Sequence, residues 1–290
     1  MTKPRQIRDS NPLHVIARDG CWLVLPLLAL VMLTWTAPRM TNAAVLVAVG
    51  LIGALLFIGG WPLVRLRREV WVRGHFRADS VWHGRLRRAW WARGVSLFSS
   101  LILGCALLTA LARQTGATPL LVVFILNVPV LVCLRALFER WLWPHLLPEV
   151  REAVALRAAM VVDCAGVLVI LLAGAFLARH PDYASLPLAE AVRLTVSEEQ
   201  ARSAALTLAM QLAAAKDAVV GWLGQQFLPG SGPVALQFAG WVIVLATDAV
   251  VAWSYVRLMA ASLWHAPWRR AARRRAARDL EATACVMPPT

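Results

Sequence analysis

Residues 43–64 read AAVLVAVGLIGALLFIGGWPLV, and residues 65–73 continue as RLRREVWVR. The first stretch runs for 22 residues without a charged side chain. As a helix it would be about 33 Å long at 1.5 Å per residue, against about 30 Å for the hydrocarbon of a bilayer. Backbone N–H and C=O groups find no water there, so a run of this kind reads as a spanning helix whose hydrogen bonds are all internal. The arginines and tryptophan that follow are what a chain places where such a helix leaves the lipid, with stems in the apolar layer and polar tips in water.

Five other segments repeat the pattern, giving predicted spans at 21–36, 43–64, 95–111, 119–137, 158–177 and 234–256. The first is short and contains Pro26, so it crosses only if Ile16 or Ala17 extends it and its neighbours tolerate the proline. Composition agrees with the spans. Of 290 residues, 59% are hydrophobic and 16% charged, and the mean hydropathy is +0.62, which excludes a soluble globular enzyme with a solvated surface. The expected fold is therefore all-α: a polytopic transmembrane bundle of six spans arranged as three hairpins, with a helical extracytoplasmic insertion between spans 5 and 6.

Basic residues set the expected orientation, because Lys and Arg near span ends are retained in the cytoplasm. Four lie in the arm 1–20, nine between Arg65 and Arg93, four between Arg135 and Arg157 and seven from Arg257 onward, while the alternate segments together hold six. Both termini are expected to be cytoplasmic, with 21–64 and 95–137 as hairpins and 65–94 and 138–157 as inner loops. Residues 158–177 form span 5, 178–233 the outer insertion, 234–256 span 6 and 257–290 a basic tail. The apolar run after the N-terminal basic residues lacks a small-residue cleavage site and reads as an uncleaved anchor. Only Lys3 and Lys216 among the 30 basic residues are lysines, and with the compact loops this points to a bacterial inner membrane.

The insertion is nearly neutral and carries Ser197-Glu198-Glu199-Gln200, the form of a capping box. A helix is expected from there to about Phe227, stopped by Pro229-Gly230. On it Ala201, Ala205, Leu208, Leu212, Ala215, Val219 and Trp222 recur at alternating spacings of four and three, forming one apolar stripe. The stripe reads as a docking face for another subunit or a second copy, or as a face laid on the bilayer or on this protein's own helix ends. Lys216, Asp217 and Gln211 argue against a further span here, since each is costly in lipid.

Inside the spans the ionisable groups are Asp163 and Asp248. Counted from Arg157 and Arg257 they lie about 9 and 13 Å deep, with Asn127 about 12 Å and Ser99 and Ser100 about 8 Å deep. A polar layer of Asp163, Asp248, Asn127, Ser99, Ser100 and Thr247 follows. Two carboxylates in low dielectric share a proton or hold a cation, which is how an ion- or proton-coupled site is built; the alternative is interhelical glue.

Cys21, Cys105, Cys133, Cys164 and Cys285 show no metal-ligand spacing, the six histidines form no HxxxH or HExxH pattern, and no phosphate-binding or nucleophile motif is present. Neither a metal, a cofactor nor a catalytic residue is expected. Arg65, Arg67, Arg68, Arg85, Arg87 and Arg88 with interleaved tryptophans, and Arg269, Arg270, Arg273, Arg274 and Arg275 in the tail, read as surfaces for anionic lipid or an acidic partner rather than for nucleic acid. The function expected is a non-catalytic inner-membrane subunit of an envelope assembly of secretion, conjugation or export type, with other subunits or a second copy as partners. The competing reading is a small proton- or ion-coupled permease using Asp163 and Asp248.

Overall fold

A computed structural model describes residues 12–75, 90–113, 119–142, 144–145, 148–177, 183, 186–227 and 234–266. Among these residues every regular element is helical. They are α1 (Pro12–Thr36), a 3-10 turn (Ala37–Arg39), α2 (Asn42–His75), α3 (Trp90–Ala112), α4 (Pro119–Leu142), α5 (Pro148–Leu177), α6 (Leu188–Ser197), α7 (Ala204–Phe227) and α8 (Val234–Trp264). Pro26, Pro62 and Pro129 each lie within a continuous helix, as expected where neighbouring helices rather than water surround the backbone.

Six described stretches are long and apolar enough to cross a membrane: Ala17–Arg39, Asn42–Pro62, Trp90–Ala112, Leu120–Leu142, Arg151–Gly174 and Ala204–Leu223. This makes the protein a multi-pass membrane protein. Five of the stretches coincide with the first five predicted spans. The sixth lies in α7, inside the predicted insertion, while α8 covers the predicted span 234–256 and continues through Arg257 to Trp264. Several helices also outrun their apolar cores. On α2, Arg65 pairs with Glu69 one turn later at 3.5 Å, which supports helix beyond the lipid-matched segment.

Helix α8 is the centre of the bundle. It packs against α1, α2, α3, α5 and α7 and reaches α4 through Tyr255, whose hydroxyl donates to the Phe124 carbonyl at 2.6 Å. Ala252, Tyr255, Val256, Met259 and Leu263 on it are buried, and Trp22 of α1 donates its indole N–H to the Ser262 carbonyl at 3.0 Å. Lipid is as apolar as leucine, so close packing and hydrogen bonds between helices hold such a bundle together. Glycines on α2 provide the closeness. A Cβ on Gly59 would collide with Ala261 of α8, and one on Gly53 would stand 2.7 Å from Leu101 of α3. Gly104 of α3 returns that contact, its own absent Cβ facing Gly53 and Val49 at 3.2 and 3.3 Å.

The predicted start of the insertion helix is corrected. Ser197 closes α6, with its hydroxyl on the Leu194 carbonyl at 2.8 Å, and α7 begins at Ala204. Ser203 is the cap, accepting from the Leu206 N–H at 3.3 Å. Residues 198–203 are not helical, so Ser197 and Gln200 have no first turn to cap, and Glu199 between them pairs with Arg113. The described part of the helix runs to Phe227, and the predicted stop at Pro229-Gly230 lies outside the described residues.

Candidate functional site

Three groups of polar side chains stand out: one inside the bundle, one at the end where Arg65, Arg93, Arg140 and Arg157 lie, and one at the opposite, far end.

Inside the bundle, Asn127 of α4 donates to Asp163 Oδ2 of α5 at 2.9 Å. Asp163 is 2% exposed, and its Oδ1 has no hydrogen-bond partner among the described residues. Tyr255 closes this spot from α8, its ring stacked on Phe124 with centroids 3.9 Å apart and planes 4° from parallel. The carbonyl it uses belongs to Phe124, whereas the one Pro129 deprives of its usual helix donor is that of Ile125, four residues before the proline. Other members of the expected layer lie elsewhere. Ser99 and Ser100 both donate to the Ser96 carbonyl of their own helix, at 3.0 and 2.8 Å. Asp248 is half-buried two turns from Tyr255, and the charges acting on it are Lys216 and Asp217 of α7 rather than Asp163. Thr247 beside it is half-buried. The structure thus brings Asn127 and Asp163 together and leaves Asp248 with another set of neighbours.

At the Arg-rich end, Arg135 is 1% exposed and lies within 2.6 Å of Glu139, 3.2 Å of Glu152 and 3.7 Å of Asp19. One cation therefore gathers carboxylates from α1, α4 and α5. From the sequence Arg135 marks orientation and is a candidate partner for Asp163 or Asp248, but its partners are Glu139, Glu152 and Asp19 instead. The signal available was Glu139, one turn further along the same helix, where a charge pair is expected. Arg65 is exposed, Arg68 half-buried, and Arg67 lies on α2. Arg85, Arg87, Arg88, Arg269, Arg270, Arg273, Arg274 and Arg275 fall outside the described residues.

At the far end Arg113, just past α3, pairs with Glu199 at 2.8 Å and Asp217 at 2.6 Å. Burial lowers the guanidinium pKa, but Asp217 and Glu199 more than offset this and raise it above its ordinary value. Arg113 is therefore charged at every physiological pH. Ser203 donates to Asn42 Oδ1 at 2.6 Å, and the Arg202 N–H donates to the Pro38 carbonyl at 2.9 Å. These ties fix how α7 runs. Because Gly104 packs on Val49 and Gly53, Arg113, nine residues beyond Gly104, is level with Asn42 at the start of α2. Ser203 and Asp217 are held at that one level although about 21 Å of chain separates them as helix. Had α7 descended beside α2, Asp217 would lie far below the reach of Arg113. This part of α7 runs across the helix ends.

The face of α7 turned to the bundle is Ser203, Leu206, Met210, Ala214 and Ala218, all buried. The predicted stripe is a different face. Ala205 is exposed, Leu208 and Leu212 are 59% and 64% exposed, Ala201, Ala215 and Val219 are half-buried, and Trp222 is tied to the Leu186 carbonyl at 2.8 Å. The sequence offered two apolar faces on one alanine-rich helix, and the bundle uses the face that contains Met210. No protein-family profile, curated protein or solved structure matches the chain.

Proposed function

We propose that the protein is a non-catalytic subunit of a larger envelope assembly, of the secretion, conjugation or export type, in a bacterial inner membrane. In this reading the Arg-rich end and both termini are cytoplasmic, and α6 and α7 form the extracytoplasmic insertion between spans 5 and 6. The observation that carries it is Leu208 and Leu212, two large apolar side chains more than half exposed on a helix that lies across the ends of the bundle. Helix α7 is fixed there by the Arg113 pairs and the Ser203–Asn42 bond, so its outer face is presented on a rigid support. A fixed apolar face next to water is the usual form of a protein-docking surface.

The test is purification of the tagged full chain in mild detergent, with mass spectrometry of stoichiometric partners and the intact mass of the complex. The paired substitution Leu208→Glu and Leu212→Glu should remove the partner while insertion and monomer stability persist. Unchanged assembly would overturn the docking face.

One observation favours the second reading, an ion- or proton-coupled permease: the unpartnered Oδ1 of Asp163. A carboxyl oxygen buried in this way takes up a proton or a cation at lower cost than it bears a charge. On that reading Asp163→Asn abolishes transport in reconstituted vesicles.

A further inference from the structure

The groove between α2 and α5, floored by α8, holds a second unsatisfied feature, of opposite charge. Gly59, Gly60 and Val64 of α2, Arg157 of α5, and Trp253 and Arg257 of α8 border a cavity of about 90 Å³. A single water needs roughly 10–15 Å³ of such space, so the cavity has room for several waters or for one phosphate group. Arg257 is half-buried in it, and its guanidinium occupies the space that a Cβ on Gly60 would fill. The side chain has five N–H donors, and among the described residues its one acceptor is the Ser100 hydroxyl, at 3.4 Å. Among the described residues no acidic side chain acts on it. Arg157 on the facing helix is exposed and has no ion pair or hydrogen bond among the described residues. By contrast Arg135 has three carboxylate partners and Arg113 two.

We infer that this groove is a specific site for the phosphate of an anionic glycerophospholipid, clamped between Arg157 and Arg257 from the leaflet at the Arg-rich end. Guanidinium groups bind phosphate through paired N–H donors, more strongly than neutral hydrogen bonds. Basic pockets between spanning helices are where such headgroups lodge. The lipid rather than a soluble anion is the occupant because Val64, Leu156, Met160 and Trp253 make the rest of the lining apolar, which suits an acyl chain and repels a hydrated ion. Gly60 leaves the guanidinium its space, and the inference is independent of the proposed assembly.

Native mass spectrometry of the full chain, titrated with phosphatidylglycerol or phosphatidylcholine in detergent micelles, tests it. The wild type should retain one phosphatidylglycerol at least tenfold more tightly than phosphatidylcholine. Arg157→Gln, at an exposed position and so compatible with folding, should lower that preference several-fold, and Arg257→Gln should abolish it. Equal retention of the two lipids by the wild type, or an unchanged preference in Arg157→Gln, overturns the site. Complete displacement of phosphatidylglycerol by millimolar inorganic phosphate overturns the assignment to lipid in favour of a soluble anion.

Discussion

Asp163 and Arg135 show how differently a bundle treats two buried charged residues. Arg135 is surrounded by three carboxylates and survives by neutralisation, whereas Asp163 has one amide donor and an idle oxygen. Replacing Asp163 by Asn keeps an acceptor for Asn127 and removes the need to ionise, so we expect stability within about 0.5 kcal/mol of wild type or above it. Replacing it by Leu strands the Asn127 amide in an apolar interior and should cost about 1–2 kcal/mol. Unfolding midpoints of the two variants in one detergent check the pair; equal loss in both would mean that the carboxylate charge itself matters. Single residues were the least legible level of the sequence. Asp163 and Asn127 were recognisable by type and depth, but their direct bond, the closing Tyr255 ring and the separation of Asp248 depend on helix rotation, which an apolar run encircled by apolar residues does not encode.

At the level of helices the spans were legible because hydrocarbon thickness sets a length that the sequence must match. The five runs from 21 to 177 reappear as α1 to α5 with longer ends. What failed was the face of α7. Ala205, Leu208 and Leu212 and the set Leu206, Met210 and Ala214 are both apolar, so periodicity alone names two stripes, and only contact with α3 and α8 chooses between them. The α2 glycines are better determined. Gly59→Val should push α8 off α2 and cost about 1–3 kcal/mol as an overpacked contact, while Gly50→Val, with nothing within 4 Å of its would-be Cβ, should be nearly neutral. Thermal unfolding of both variants in the same micelle reads the difference. Comparable losses at the two positions would indicate that glycine acts there through the helix backbone and not through closeness.

For the whole molecule, charge is arranged by end. Arg135 with its carboxylates ties α1, α4 and α5 at one end, and Arg113 ties α3 to the α7 layer at the other. The orientation of these ends across a membrane is open to direct measurement. In a background without native cysteine, His75→Cys and Ala189→Cys place thiols at exposed positions of opposite ends. A membrane-impermeant maleimide applied to intact cells should label Ala189→Cys at once and His75→Cys only after permeabilisation. The reverse pattern would exchange the two sides and place the arginines outside.

The central position of α8 also bears on the order of events during synthesis. Helices α1 to α5 leave the ribosome before α8, so while α6 and α7 are being made their α8-facing sides are expected to be covered by lipid. Helix α8 is then expected to dock from the lipid side, bringing Ala261 against Gly59. Until α8 docks, the faces of α2 and α5 that it covers are open, so a substitution that slows docking, such as Gly59→Val, is expected to shorten the lifetime of newly made chains in a pulse-chase measurement.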